Sequence, residues 1–110
     1  MKTDLIEIFQ TIRAALQPYE TLGFNDRINS DSQYDLWSEK NAELNGQQKN
    51  ELLLADLKIE QDHVTLNLLP EELPEHERPM VIRELDEVSL NLIEDKVAAG
   101  YKIFKEKEWV

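Results

Sequence analysis

The sequence contains no cysteine, only three glycines among 110 residues, and 12 basic residues against 23 acidic ones. Without cysteine the chain has no disulfide, no thiolate metal ligand and no cysteine nucleophile, which is consistent with a reducing compartment. With so few glycines it has no glycine-rich phosphate-binding loop. The net charge of −11 opposes binding to nucleic acids and to anionic membranes, because both require a basic protein surface.

Long apolar runs are also missing from this chain. The longest, such as residues 52–55, are far shorter than the roughly 20 residues that a membrane-spanning helix needs. The first residues lack the basic and then apolar pattern of a signal peptide. We therefore expect a soluble, cytoplasmic protein, and the length predicts a single domain over residues 1–110.

The clearest pattern in the sequence is a β-hairpin at residues 51–69, in which apolar and polar residues alternate on both sides of a tight turn at residues 61–62. This turn pairs Ile59 with Val64. The covered face of the hairpin is predicted to carry Leu53, Ala55, Leu57, Ile59, Val64, Leu66 and Leu68. The opposite face is predicted to carry Asp56, Lys58, Glu60, His63, Thr65 and Asn67, with Leu54 and Leu69 at its far end.

Amphipathic helices at the two ends of the chain can cover this hairpin. Thr3 is the predicted cap of the first, at about residues 4–17, and Pro18 ends it. Asp86 caps the second, and Gly100 inside that helix indicates a close approach to the sheet. We predict an α+β fold in the order α-β-β-β-β-β-α, an antiparallel sheet of four to five strands with the N- and C-terminal helices packed on one face.

The segments between the first helix and the hairpin, and after it, are shorter and less regular. A short strand is predicted near residues 22–27 and a clearer one at residues 33–39. Residues 41–50 read as a hairpin loop. Residues 70–79 hold three prolines and four glutamates and are predicted to be a loop, followed by a short strand at residues 80–82.

Trp37 is the sharpest candidate for an interaction residue. In its predicted strand it shares a face with Asp35 and Glu39, so its indole lies on the open face of the sheet, whereas a slip of one residue would bury it. An exposed tryptophan on a sheet is typical of protein contacts. The predicted interaction face comprises Trp37, Asp35, Glu39, Asp56, Lys58, His63 and Thr65.

Several short motifs resemble one known family. They are the end of the first helix at residues 16–19, the strand around Leu36, the hairpin LLLADLKIEQDHVTLNLLP and the ending LDEVSLNLIEDKVAAGYKIFKEKEWV. Together they resemble the YdhG-like family of small bacterial proteins. That resemblance implies a frataxin-like fold and, for some members, a role as an iron chaperone. The chain departs from the family pattern after the hairpin, where a longer insertion with a cysteine-containing segment is replaced by the glutamate-rich loop.

Acidic residues offer an alternative, metal-binding interpretation. Residues 60–95 hold eleven acidic side chains and only two arginines, and carboxylates with a neighbouring imidazole suit iron or manganese. A solvated loop that keeps the protein soluble is the other interpretation of the same charges. The predicted ligands for weakly bound iron are Asp4, Glu7, Glu94, Asp95, Glu71, Glu72, Glu75 and His76.

Catalysis is not expected. His63 opposite Glu60 is the only predicted histidine–carboxylate pair, and such a pair is either a general base or an ordinary cross-strand contact. No serine or threonine stands in a nucleophile-elbow context. We therefore predict a non-enzymatic binding module, a monomer or weak homodimer with a protein partner that is unknown, and the alternative is a frataxin-like iron chaperone.

Overall fold

The predicted α+β architecture is present in the structure, a computed structural model that describes residues 3–44, 46–70, 73–74 and 76–110. Its elements are α1 (Leu5–Leu16), a 3-10 helix (Gln17–Leu22), β1 (Gln33–Ser38), β2 (Ala42–Leu44), β3 (Gln47–Lys49), β4 (Leu52–Ile59), β5 (Val64–Leu68), β6 (Met80–Ile82) and α2 (Glu87–Glu106). Four antiparallel strands form the main sheet in the order β1-β4-β5-β6, and β2 pairs with β3 in a small second sheet.

Both helices contact β4, and the sheet face beneath them is called the inner face. Most of its side chains are buried, so the hydrophobic effect holds the helices against the sheet. The buried inner-face residues of the strands include Tyr34, Leu36, Ala55, Leu57, Val64 and Leu66. The predicted placement of the helices relative to the sheet is thereby confirmed.

The predicted register of the central hairpin is confirmed. Ile59 pairs with Val64 across the turn, and the next inward-facing pair joins Leu57 to Leu66. The turn closes where the backbone N–H of Glu60 donates to the carbonyl oxygen of His63 at 2.8 Å. The alternation of apolar residues was sufficient to fix this register because a slip of one residue would expose the whole inner face.

A β-bulge changes this alternation near the start of β4. Leu36 pairs with Ala55, but the next residue, Trp37, pairs with Leu53, so Leu54 is the extra residue. Leu54 turns inward and is fully buried, whereas Leu53 is half-buried on the opposite face. The predicted faces of Leu53 and Leu54 are therefore wrong, because the bulge shifts the alternation by one residue.

The first helix begins one residue later than predicted. Asp4, not Thr3, is its cap, and the Asp4 carboxylate accepts a hydrogen bond from the backbone N–H of Ile6 at 2.9 Å. A carboxylate also interacts favourably with the positive end of the helix dipole, which a threonine hydroxyl does less well. Pro18 lies in the first turn of the 3-10 helix that follows, so the chain tightens after α1 and does not leave helical structure at once.

The predicted irregular segments contain more pairing than expected. Residues 41–50, predicted as a hairpin loop, hold the small β2–β3 sheet, and Ala42 and Leu44 are buried. The strand predicted near residues 22–27 is reduced to one bridge, between Asn25 and Trp37. No helix of the described residues is long and apolar enough to cross a membrane.

The second helix lies close to Leu54 of β4 and to Leu69 at Gly100. Asp86 caps the helix as predicted, since its carboxylate accepts from the Ser89 N–H at 2.7 Å. A Cβ atom at Gly100 would lie 3.2 Å from Leu69 Cδ2 and 3.4 Å from Leu54 Cδ1. Leu69, predicted for the outer face, is instead buried beneath α2, because its φ of 71° turns the chain at the end of β5.

Gly100→Ala is expected to stabilise the protein by about 0.5 kcal/mol, because alanine favours the helix over glycine by up to ~1 kcal/mol. Leu69 borders a cavity of about 240 Å³ between α2 and β5, which gives its side chain room to yield to the new methyl group. Urea unfolding checks this gain. Gly23→Ala is the matched control and is expected to destabilise, because Gly23 has a φ of 104° and its Cβ would lie 2.5 Å from Val110 Cγ2. A loss at Gly100 as large as the loss at Gly23 would contradict the argument.

Aromatic rings close the end of the core beyond α2. Trp109 is buried, and its ring meets Phe104 edge to face with centroids 5.5 Å apart. Phe104 in turn packs on Phe24, and the centroids of these two rings are 5.4 Å apart. The hydroxyl of the buried Ser38 donates to the Trp109 carbonyl oxygen, so the C-terminal residues are fixed to the end of β1.

Candidate functional site

The sheet has a second face, here called the outer face, which no helix of the described residues covers. The strand register places its side chains opposite those of the inner face. They are half-buried or exposed, with the exception of Asp35. The outer-face residues are Gln33, Asp35, Trp37, Leu53, Asp56, Lys58, Glu60, His63, Thr65, Asn67 and Val81.

Trp37 lies on this face, as the predicted parity of its strand requires, and is half-buried. The guanidinium of Arg27 is stacked 4.5 Å from the centroid of its ring. Glu51 forms an ion pair with Arg27, and this hydrogen bond raises the pKa of Arg27 and lowers the pKa of Glu51. Arg27 and Glu51 therefore hold the indole in one orientation from the side that faces solvent.

A groove of about 620 Å³ runs beside Trp37 across the end of the outer face, and we call it the outer groove. Its volume lies within the range of natural ligand-binding clefts. Leu53 and Asn67 form part of its surface, and the turn between β3 and β4 forms one wall. The outer groove is lined by Trp37, Gln48, Lys49, Asn50, Glu51, Leu52, Leu53, Asn67, Leu69 and Pro70.

Two polar atoms of the outer groove are buried without a hydrogen-bond partner in the described part of the chain. They are Nε1 of Trp37, which is a donor, and Oδ1 of Asn67, which is an acceptor. A buried polar group without a partner costs roughly 1 to 3 kcal/mol, so folded proteins rarely keep one without a reason. A ligand that accepts from the indole and donates to the amide oxygen would satisfy both atoms.

Asp35 does not belong to the accessible part of this face, which corrects the prediction. It is 4% exposed, and its carboxylate accepts from the backbone N–H groups of Arg27 at 2.7 Å and Ile28 at 3.0 Å. The segment at residues 25–29 runs along the edge of β1 without forming a regular strand. Asp35 supplies the hydrogen bonds that this irregular segment lacks, and its role is structural.

Three further members of the predicted interaction face make only local contacts. The Asp56 carboxylate accepts from the side-chain amide of Gln33 at 3.1 Å. Lys58 Nζ lies 3.9 Å from a carboxylate oxygen of Glu60, and the Thr65 hydroxyl lies 3.4 Å from the Lys58 carbonyl oxygen. Glu39, which follows the end of β1, is exposed. Asp56, Lys58 and Thr65 lie on the outer face as predicted, but they do not line the outer groove.

His63 does not pair with Glu60, which corrects a second prediction. Its Nδ1 atom lies 2.6 Å from a carboxylate oxygen of Asp62, the preceding residue in the turn. His63 is the largest cause of a lowered pKa at Asp62, and Arg83 adds to it. Glu60 and His63 are joined through their backbones only, so the structure does not form the predicted histidine–carboxylate pair.

The predicted metal ligands are not brought together. Among the described residues, no group of three or more His, Asp or Glu side chains lies close enough to hold a metal ion. Asp4 caps α1, and the Nδ1 atom of His76 lies 3.0 Å from the carbonyl oxygen of Leu68. Glu94 and Asp95 are exposed on α2, and Glu7 is exposed on α1. Glu71, Glu72 and Glu75 lie outside the described residues.

Sequence reasoning missed several residues of the outer groove. Leu53 was assigned to the inner face, and Asn67 was placed on the outer face without a role. One signal was present, because residues 52–55 are four apolar residues in succession, and a break in alternation is typical of a bulge. The position of the groove wall at residues 48–51 could not be predicted from the sequence, because no periodic pattern determines where this segment lies relative to the main sheet.

Sequence reasoning also missed a pair of interacting carboxylates, Glu20 and Asp26. Burial and the Asp26 carboxylate raise the pKa of Glu20, and burial together with the charge of Glu20 raises the pKa of Tyr34. Tyr34 is completely buried. Among the described residues, no third carboxylate joins this pair to complete a metal site.

The fold and the groove together define a class: a small α+β protein with one sheet face covered by helices and a partly polar groove on the other. No family model, no curated protein and no solved structure matches the chain. The resemblance to the YdhG-like family therefore stays a prediction.

Proposed function

We propose that the protein is a non-enzymatic binding module that holds an extended segment of a partner protein in the outer groove. The observation that carries this proposal is the buried donor of Trp37 and the buried acceptor of Asn67, both without described partners at one groove. An extended backbone carries both C=O acceptors and N–H donors, so a partner segment offers the two kinds of group that these atoms lack.

The surroundings of Trp37 favour a strong contact. Tryptophan is enriched among the few residues that dominate binding energy, because a large ring can be fully desolvated when a partner covers it. Arg27 and Glu51 already hold the indole in place. A partner would therefore bind a pre-organised ring and would lose less conformational entropy on binding.

The charge of the protein indicates the chemistry of the partner. A net charge of −11 on 110 residues attracts basic segments and repels acidic ones. The partner segment is accordingly an extended, basic peptide with an apolar side chain that packs on Leu53 and on the part of Trp37 that lines the groove, away from Arg27. No described residue favours the alternative of an iron chaperone, which stays a prediction.

Selection from a library of random linear peptides of about a dozen residues tests this proposal. Selected peptides are expected to be rich in Lys and Arg and to shift the indole N–H resonance of Trp37 in NMR titrations. Trp37→Ala is expected to weaken their binding roughly tenfold or more, because truncation of a central tryptophan removes the main buried contact.

The matched control is Ile6→Ala, which removes an exposed apolar side chain from α1, 59% exposed and away from the groove. It is expected to leave the affinity unchanged. Peptides that bind equally well to the Trp37→Ala variant, or that shift only resonances outside the outer groove, would show that this groove is not the binding site.

A further inference from the structure

The main sheet ends in β6. Among the described residues β6 pairs only with β5. Antiparallel pairs alternate between hydrogen-bonded and non-hydrogen-bonded positions, and the hairpin turn closes on the hydrogen-bonded pair of Glu60 and His63. Counting from that pair, Val64 and Leu66 direct their backbone groups towards β6. Val81, which pairs with Thr65, therefore directs its N–H and C=O away from the sheet.

Exposed apolar side chains occur on β6 and on α2. Val81 is 52% exposed, and on α2 Val88 is 77% exposed and Leu92 is 51% exposed. These are three of the six large apolar side chains that are exposed in the described part of the chain. A groove of about 320 Å³ between β6 and α2 is lined by Leu92 and by all three residues of β6. Exposed strand edges flanked by apolar side chains commonly receive a further strand.

The residues that flank β6 favour one occupant, a second copy of the same chain. If two copies pair antiparallel about Val81, Met80 of one lies opposite Ile82 of the other. The same symmetry brings Arg78 of each copy towards Glu84 of the other. Arg78 and Glu84 form no ion pair within the described part of their own chain, and both line grooves on the inner side of the sheet.

We propose that β6 is the interface of a two-fold symmetric homodimer, in which the two Val81 residues exchange backbone hydrogen bonds and Arg78 pairs with Glu84 of the other copy. The two four-stranded sheets then form one continuous sheet of eight strands. Both copies of α2 lie on the same side of it, where Leu92, which lines the groove beside β6, approaches its counterpart across the axis. This proposal concerns a different surface from the outer groove and does not depend on the proposed function.

Two features keep this dimer weak. The strand has three residues only, and each copy carries a net charge of −11. Salt screens the long-range repulsion between the copies. The dimer is therefore expected at high protein concentration and at physiological ionic strength, and to a smaller extent at low salt.

Sedimentation velocity over a range of protein concentrations tests the proposal. The average mass is expected to rise from 12.9 kDa towards twice that value. Arg78→Glu and Glu84→Arg are each expected to weaken association about tenfold, because each places like charges opposite one another. The double variant Arg78→Glu with Glu84→Arg restores opposite charges and is expected to recover the dimer, which a merely structural effect would not do.

Val81→Pro gives an independent test. Proline removes the N–H that points away from the sheet and leaves the hydrogen bonds to β5 intact, so the fold is expected to survive while dimerisation is lost. Circular dichroism checks that the variant is folded. A protein that stays monomeric at every concentration would overturn the proposal, as would a dimer that persists in Val81→Pro or that the double charge reversal does not restore.

Discussion

Trp109→Ala is expected to lower the free energy of unfolding by about 3 to 4 kcal/mol, the cost of truncating a large buried aromatic side chain. Trp109 is 6% exposed and packs edge to face on Phe104. Its loss would open the end of the core next to Phe24, which also contacts Phe104. The measurement is urea unfolding followed by far-ultraviolet circular dichroism, which does not depend on tryptophan fluorescence.

Lys107→Ala is the matched control for this prediction. Lys107 Nζ lies 5.5 Å from the centroid of the Trp109 ring, but the residue is exposed, so its removal is expected to cost less than about 0.5 kcal/mol. Trp109→Phe keeps a ring in the same place and is expected to fall between the two. If Trp109→Ala costs no more than Lys107→Ala, the C-terminal residues do not close the core in solution.

The elements that the sequence predicts well are those with a long periodic pattern. The register from Ile59 to Leu66 follows from alternation together with the tight turn at residues 61–62, because a slip of one residue would expose the apolar face. The second helix and its cap at Asp86 follow from apolar spacing and from a carboxylate at the first turn. Gly100 could even be linked to a close approach, because glycine inside a helix otherwise costs stability.

The errors arise where one residue changes the local geometry. Leu54 is a bulge residue, and the predicted faces of Leu54 and of Leu53, which precedes it, are exchanged. An alternation argument assumes an unbroken strand, so it cannot locate a bulge without a break in the pattern. Thr3 and Asp4 are both acceptable caps by residue type, and only the backbone conformation decides between them.

In the candidate site, too, the features that follow from a periodic pattern were predicted and the others were not. The outward direction of Trp37 follows from the parity of β1 and was predicted. The ion pair between Arg27 and Glu51 joins residues 24 positions apart, and the sequence carries no periodic signal for such a contact. The groove exists because the end of β3 and the turn to β4, residues 48–51, lie beside the main sheet, and this placement depends on tertiary packing.

Asp35 is where the sequence and the structure make opposite predictions, and Asp35→Ala separates them. The structure predicts a loss of about 2 to 4 kcal/mol in the free energy of unfolding, because the backbone N–H groups of Arg27 and Ile28 would lose a charged acceptor in a buried position. Asp35→Asn keeps an acceptor oxygen without the charge and is expected to lose about half as much. Urea unfolding of the unchanged protein, of Asp35→Ala and of Asp35→Asn measures these differences in the free energy of unfolding.

Asp56→Ala is the control, because Asp56 lies directly opposite Asp35 on the neighbouring strand but is half-exposed. Its carboxylate accepts a hydrogen bond from Gln33, so the expected cost is below about 1 kcal/mol. Asp35→Ala should also reduce peptide binding, because release of the backbone at Arg27 frees the guanidinium that holds Trp37. Equal costs for Asp35→Ala and Asp56→Ala would instead place Asp35 on the accessible face, as its alternation with Trp37 predicts.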